Sequence, residues 1–273
     1  MIRLIVSDID GTLLPEGATN LNPEYFDVIR RLADHGVHFA AASGRQLSSV
    51  RSVFQSVEDC IGYITDNGAY VLDKGKSVLE RDMCRKDLQE LLQSLKGLPE
   101  AKVVLSNREG FYLDQYDEFM CHLLYEEYRG SGGVLDSFDD YLDTCLKISL
   151  YFTDDSSIYY PRIREEWSDR FAVNISGAKW IDICDKESTK GNAVRWFQQN
   201  LGVTPEETVV FGDNFNDVTM LHCAERSYAS VLSHPDVKKE ARYTVASYEE
   251  DGVLKVLRQI LEEIEAQSQA GNV

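Results

Sequence analysis

Two carboxylates one residue apart, Asp8 and Asp10, open the chemistry of this chain. They stand in the run Asp8-Ile9-Asp10-Gly11-Thr12, directly after Ile2-Arg3-Leu4-Ile5-Val6, whose apolar character predicts a buried strand. A strand that ends on acidic residues delivers them to the edge where open parallel sheets bind ligands. Asp8 can act there as a nucleophile or a metal ligand. Asp10, two positions on, lies on the same side and can reach the same centre. Gly11 permits a sharp turn, and Thr12 can hydrogen-bond across it. Such a set suits phosphate chemistry with a hard divalent cation. The same residues would also make an ordinary strand ending, so the choice falls to the rest of the chain.

Three further places carry matching groups. Ser43, in Ser43-Gly44-Arg45, follows the predicted strand Val37–Ala42, where a hydroxyl and nearby N–H groups could hold a phosphate at a helix start. Lys190 begins a predicted helix and could neutralise a phosphate oxygen or a developing negative charge. Asp213, Asn216 and Asp217 form a second acidic cluster after the predicted strand Thr208–Phe211. Singly these read equally well as a plain turn, a solvated lysine and a loop. Their common placement at strand ends and helix starts favours one shared site.

The elements that must position these groups follow a regular order. Asn22-Pro23 opens a helix that Gly36 closes, and Ile61–Thr65 makes a third strand ending in Asp66-Asn67-Gly68-Ala69. Strand, helix, strand, helix, strand is the pattern of a parallel α/β sheet. From about Met83 to Asp185 the pattern changes. Helical stretches at Asp87–Leu95, Phe119–Tyr128 and Ile158–Trp167 alternate with strands that read as antiparallel: Ala101–Leu105, Phe111–Leu113, Leu146–Phe152, Ala172–Ile175 and Trp180–Cys184. After Lys190 the α/β alternation returns, with a helix at Asn192–Asn200, strands at Thr208–Phe211, Ser227–Val231 and Tyr243–Val245, and a closing helix at Val253–Ile264. The polar residues 266–273 read as a frayed end. The fold class is therefore α/β: a doubly wound parallel-sheet (Rossmann-like) core, residues 1–82 and 186–273, with an inserted α+β cap, residues 83–185.

Composition limits the partners. The net charge of −18 argues against a phosphate-backbone binder, so no nucleic acid is expected. No window approaches the roughly 20 apolar residues of a membrane span, and no signal segment precedes the first strand, which predicts a cytoplasmic protein with no membrane partner. The six cysteines, Cys60, Cys84, Cys121, Cys145, Cys184 and Cys223, form no C-x-x-C pair and read as buried free thiols.

At this point the chain resembles the haloacid dehalogenase-like superfamily, and within it the Cof-type phosphatase branch. The matching segments are Asp8-Ile9-Asp10-Gly11-Thr12-Leu13, Ser43-Gly44-Arg45, Asn67-Gly68-Ala69, Lys190-Gly191 and Gly212-Asp213-Asn214-Phe215-Asn216-Asp217-Val218-Thr219-Met220. Two departures are Asn214, where the branch commonly has a small residue, and Leu232-Ser233-His234, where it has a Gly-Asn-Ala-like segment. The resemblance implies an Mg²⁺-dependent phosphatase acting on a small phosphorylated metabolite, such as a sugar phosphate. Asp8 resembles the nucleophile that forms an aspartyl-phosphate, and Asp10 the general acid that then serves as base. Ser43 and Lys190 resemble the phosphate-binding pair, with Gly44 and Asn216 beside them. Asp213 resembles the carboxylate that completes the Mg²⁺ site with Asp8 and the main-chain carbonyl of Asp10. Thr12, Arg45, Asn67 and Asp217 resemble supporting residues. The physics of the reaction agrees: an anionic carboxylate attacks an anionic phosphate only if cations offset the repulsion. A phosphomutase resembling phosphomannomutase shares these motifs, and an idle binding protein could share the fold. Among cap residues, Tyr116, Tyr125, Arg129 and Trp180 could face the cleft, and Asp182 falls near the junction with the core.

Overall fold

In the computed structural model, residues 1–270 are described. The chain opens with β1 (Leu4–Asp8), α1 (Glu24–Asp34), β2 (His38–Ala42), α2 (Leu47–Phe54) and β3 (Ile61–Thr65). A hairpin, β4 (Tyr70–Asp73) and β5 (Lys76–Glu80), then leads to α3 (Arg85–Leu95). The inserted segment continues with β6 (Lys102–Ser106), β7 (Phe111–Leu113), α4 (Glu118–Cys121), β8 (Gly132–Val134), β9 (Lys147–Tyr151), α5 (Tyr160–Trp167), β10 (Phe171–Gly177) and β11 (Trp180–Asp185). The chain returns through α6 (Lys190–Leu201), β12 (Thr208–Gly212), α7 (Val218–Leu221), β13 (Arg226–Ser230), α8 (Pro235–Glu240), β14 (Tyr243–Val245) and α9 (Gly252–Ala270).

The main sheet has the order β14-β13-β12-β1-β2-β3-β4-β5, parallel from β14 to β3 and antiparallel at β4 and β5. Alternation along each strand feeds two apolar layers. Ile5, Phe39 and Val209 pack with residues of α1, α2 and α9. Leu4, Val6, Ala40 and Val210 pack with Val194, Phe197, Met220 and Val237 of α6, α7 and α8. This is the expected doubly wound core. The crossovers run one way from β1 to β2 and the other way from β12 to β13, so the switch point lies between β1 and β12. Their carboxyl ends, Asp8 and Gly212, therefore flank the crevice such sheets use for ligands.

The second sheet, β10-β11-β9-β6-β7-β8, is antiparallel except for the β7–β8 pair. One face buries Ile148, Leu150, Ile181 and Ile183 against Leu88 and Leu91 of α3 and Ile163 and Trp167 of α5. The other face carries Lys147, Ser149 and Tyr151 of β9 toward the core, because alternate residues of a strand point to opposite sides.

Several local expectations are corrected. The β4–β5 hairpin was not expected, although Tyr70, Val71 and Leu72 of β4 are apolar and buried, and β8, with one apolar side chain in Gly132-Gly133-Val134, was not expected either. The stretch Phe119–Tyr128 is α-helical only to Cys121 and continues from His122 to Glu127 as a π-type turn. The tail expected to fray from residue 266 is instead helical to Ala270, and residues 271–273 lie outside the described residues. Cys145, Cys184 and Cys223 are buried free thiols, but Cys84 is exposed. Among the described residues, no helix is long and apolar enough to cross a membrane.

Candidate active site

Asp8, the last residue of β1, is nearly inaccessible. Lys190 reaches it from the first position of α6, a helix whose start is set by Thr189, whose side chain accepts the Asn192 N–H at 3.1 Å. Lys190 Nζ lies 2.5 Å from Asp8 Oδ1 and 2.6 Å from Asp217 Oδ1. Asp217 Oδ2 accepts the main-chain N–H groups of Asp213 at 2.8 Å and Asn214 at 3.0 Å. Both oxygens of Asp217 are thus engaged, and the acidic loop is folded around it.

Carboxylate oxygens of Asp8, Asp213 and Asp217 come within 4.8 Å of one another. Thr12 Oγ1 donates to Asp213 Oδ1 at 3.0 Å. The approach of Asp213 requires glycine at position 11, where φ is +81° and a Cβ would stand 2.2 Å from Asp213 Oδ2. Burial, then the repulsion of Asp217, pushes the Asp8 carboxyl well above the ordinary carboxylate range, against the pull of Lys190. Burial, then Asp8 and Asp217, does the same to Asp213. Burial alone would lower Lys190, but Asp217 and Asp8 hold it firmly protonated. Three close carboxylates with one ammonium leave an excess of negative charge, and an all-oxygen donor set of this kind fits a hard divalent cation.

The expected metal set takes only the main-chain carbonyl of Asp10, and its side chain is turned elsewhere. Its Oδ1 accepts the Gly17 N–H at 2.9 Å and an Nη of Arg45, and its Oδ2 accepts Arg45 Nε at 2.8 Å. The carboxylate is therefore outside the acidic cluster, and only its main chain remains as a donor to a cation. Ser43 is buried, and its hydroxyl accepts the Arg45 N–H at 3.0 Å. Gly44, Arg45, Asn214 and Asn216 line a cleft together with Asp8, Asp10 and Asp213, and Asn216 Oδ1 is buried without a partner. Asn67 Oδ1 accepts from Asn216 Nδ2 at 2.9 Å.

The opposite wall of the cleft comes from the second sheet and its loops. Val104, Phe111, Leu124, Tyr128 and Trp180 make it largely apolar, with Lys147, Ser149 and Asp182 at its polar end. Trp180 and Asp182 thus stand where the sequence placed them. Tyr116 is 69% exposed beside a separate depression, Tyr125 donates to the carbonyls of Phe111 and Gly133, and Arg129 is not in the cleft. Glu16, Tyr128, Lys147 and Ser149 were missed. The alternation of Lys147 and Ser149 with buried Ile148 was the available signal: a polar strand face covered by another layer rather than by water. Leu232 is exposed and His234 caps α8, and neither lines the cleft.

A strand-end nucleophile candidate, a buried lysine and an acidic loop at the switch point define a class of phosphoryl-handling hydrolase. The sequence pattern of the haloacid dehalogenase-like hydrolases matches residues 5–257, so the chain belongs to that family, within which it is a phosphatase. It is 28% identical over 262 residues to the 5-amino-6-(5-phospho-D-ribitylamino)uracil phosphatase YbjI of Escherichia coli, covering 95% of this chain and 96% of that one. It is 25% identical over 267 residues to YcsE, a phosphatase of the same name from Bacillus subtilis, covering 94% and 95%. The crystal structure of SMU.1108c from Streptococcus mutans superposes with a TM-score of 0.87 at 25% identity, covering 96% of this chain and all of that one.

Proposed function

We propose that this phosphatase hydrolyses a small phosphate monoester in two steps through an aspartyl-phosphate on Asp8. The observation that carries the reading is the contact of Lys190 with Asp8 and Asp217 beside Asp213. Asp8, Asp213 and the main-chain carbonyl of Asp10 would hold Mg²⁺, which when bound supplies positive charge to the phosphate and to the attacking carboxylate. Lys190 holds a second positive charge at the same oxygen, and Asp217 fixes Lys190 and the acidic loop. Ser43 and the amide groups around Gly44 bind the phosphate. Asp10 gives a proton to the departing alcohol, then takes one from the water that cleaves the acyl phosphate. Splitting the transfer in two lets one carboxyl serve twice.

The partner in this reading is a phosphorylated metabolite whose alcohol lies in the cleft. The apolar wall with Phe111, Tyr128 and Trp180 suits a flat ring. We therefore place 5-amino-6-(5-phospho-D-ribitylamino)uracil first among candidate substrates, with sugar phosphates beside it. The experiment is phosphate release from a panel of such esters with Mg²⁺ and with excess chelator, followed by acid quench to trap labelled phosphoenzyme. Release that survives chelation, or a quenched protein without label during turnover, would overturn the mechanism.

A further inference from the structure

A cluster of buried charge lies where the second sheet meets the core, and the reaction steps above leave it unused. Lys147 of β9, Asp182 of β11 and Asp66 at the end of β3 are all nearly inaccessible. Lys147 Nζ lies 3.3 Å from Asp182 Oδ2 and 3.5 Å from Asp66 Oδ1, and it donates to the Gly44 carbonyl. Two of its donors are hydrogen-bonded, to Asp182 and to the Gly44 carbonyl, and it faces Asp66, whose buried carboxylate oxygens have no hydrogen-bond partner, as an ion pair. Asp182 is equally committed, for Oδ1 accepts from Ser149 Oγ at 2.6 Å and Oδ2 from Asn67 Nδ2 at 2.7 Å. Buried ions bonded to and paired with groups of the protein itself hold geometry; they are poorly placed to read a substrate.

Asn67 is what they hold. Asp66 and Asn67 have φ of +48° and +58°, a left-handed backbone that non-glycine residues keep only when their surroundings impose it. The Asn67 N–H donates to the Ser43 carbonyl at 3.1 Å, and its side chain accepts from Asn216 in the acidic loop. Gly68 follows, with φ +98°, so close to the start of α6 that a Cβ would meet the Thr189 carbonyl oxygen at 2.5 Å. One turn therefore touches the Ser43 segment, the helix that begins at Lys190 and the loop that bears Asp213.

We propose that Asp182, with Lys147 as its counter-ion, is a positioning residue that acts through Asn67. From the second sheet it fixes the Asn67 amide, which in turn registers Asn216 and the acidic loop. The phosphate site is then complete only when the inserted segment is docked on the core. For its effect on turnover this rests on the function proposed above; for its effect on the loop it does not.

The test compares Asp182→Ala, Asn67→Gly and the double variant. Glycine keeps the left-handed backbone at position 67 without strain. Each single change lowers kcat about 30-fold with KM within about threefold, equally for acetyl phosphate and p-nitrophenyl phosphate, and the double variant is no slower than the slower single one. Amide hydrogen exchange across 213–218 quickens about tenfold in Asp182→Ala. A rise in KM that depends on the ester would make Asp182 a substrate contact and overturn the proposal. So would multiplicative losses in the double variant, or unchanged exchange at 213–218. Asn67→Gly carries the same measurements if Asp182→Ala folds poorly. The exchange readout needs no turnover, so a wild-type protein that released no phosphate would sink the proposed function and leave this test standing.

Discussion

Arg45 grips Asp10 at both carboxylate oxygens, with Nε 2.8 Å from Oδ2 and an Nη on Oδ1. Asp10 is therefore an acceptor on every side in this arrangement, which suits the base half of its proposed work directly. The acid half requires that a donor give way as the phosphate ester enters.

The first prediction follows from that double duty. Asp10→Asn slows phosphorylation of Asp8 far more for a sugar phosphate than for p-nitrophenyl phosphate, whose leaving group needs little protonation. With the activated ester, aspartyl-phosphate accumulates. Single-turnover quench experiments on both esters check this, and equal slowing without phosphoenzyme would make Asp10 a structural carboxylate.

The second concerns the nucleophile. Asp8→Asn leaves the shape of the site and keeps Lys190 paired with Asp217, so the protein folds while turnover falls by at least about three orders of magnitude. Near-normal phosphate release by the purified variant is the outcome that defeats the assignment.

Gly11 supplies the third. An alanine there would place its Cβ 2.2 Å from Asp213 Oδ2 at a φ of +81°. Gly11→Ala therefore loses more than about 1 kcal/mol of stability and, by displacing Asp213, weakens Mg²⁺ binding about tenfold or more. Calorimetric titration with Mg²⁺ and a thermal melt measure the two effects; unchanged Mg²⁺ affinity would remove Asp213 from the metal site.

The fourth is a pH dependence. Asp8 is raised by burial and the repulsion of Asp217, Asp213 by burial and the repulsion of Asp8 and Asp217, and burial raises Asp66 to about 7 from 3.8 although Lys147 opposes it. An acid with a raised folded pKa favours the folded state at low pH and loses that contribution as pH rises through the folded value. The metal-free protein thus loses stability from about pH 4 upward, through about pH 7 for Asp8 and Asp66 and on to about pH 9 for Asp213. Mg²⁺ competes with protons for Asp8 and Asp213, so its affinity rises and its stabilisation grows over the same interval. Melting temperatures from pH 5 to 8 with and without Mg²⁺ check both; a metal-free curve that climbs with pH would contradict the electrostatics of the site.

Much of this site is legible before folding because it is local. Asp8 and Asp213 each follow an apolar run and precede turn-forming residues, and Lys190 follows a good helix cap, so neighbouring residues alone assign each to an element end. The order of those elements then implies a parallel sheet, whose switch point brings the ends together. What only the tertiary structure decided is which polar groups pair across that distance. Asp10 meeting Arg45, Asp217 spending both oxygens on Lys190 and its own loop, and Lys147 turning inward to Asp66 and Asp182 all depend on side-chain directions between segments far apart in the chain. Tyr116 and Tyr128 are the same residue type in the same inserted segment, yet one is exposed and the other lines the cleft. Periodicity says which face of an element is apolar; it does not say which other surface will cover that face, because that is settled by packing the whole chain at once.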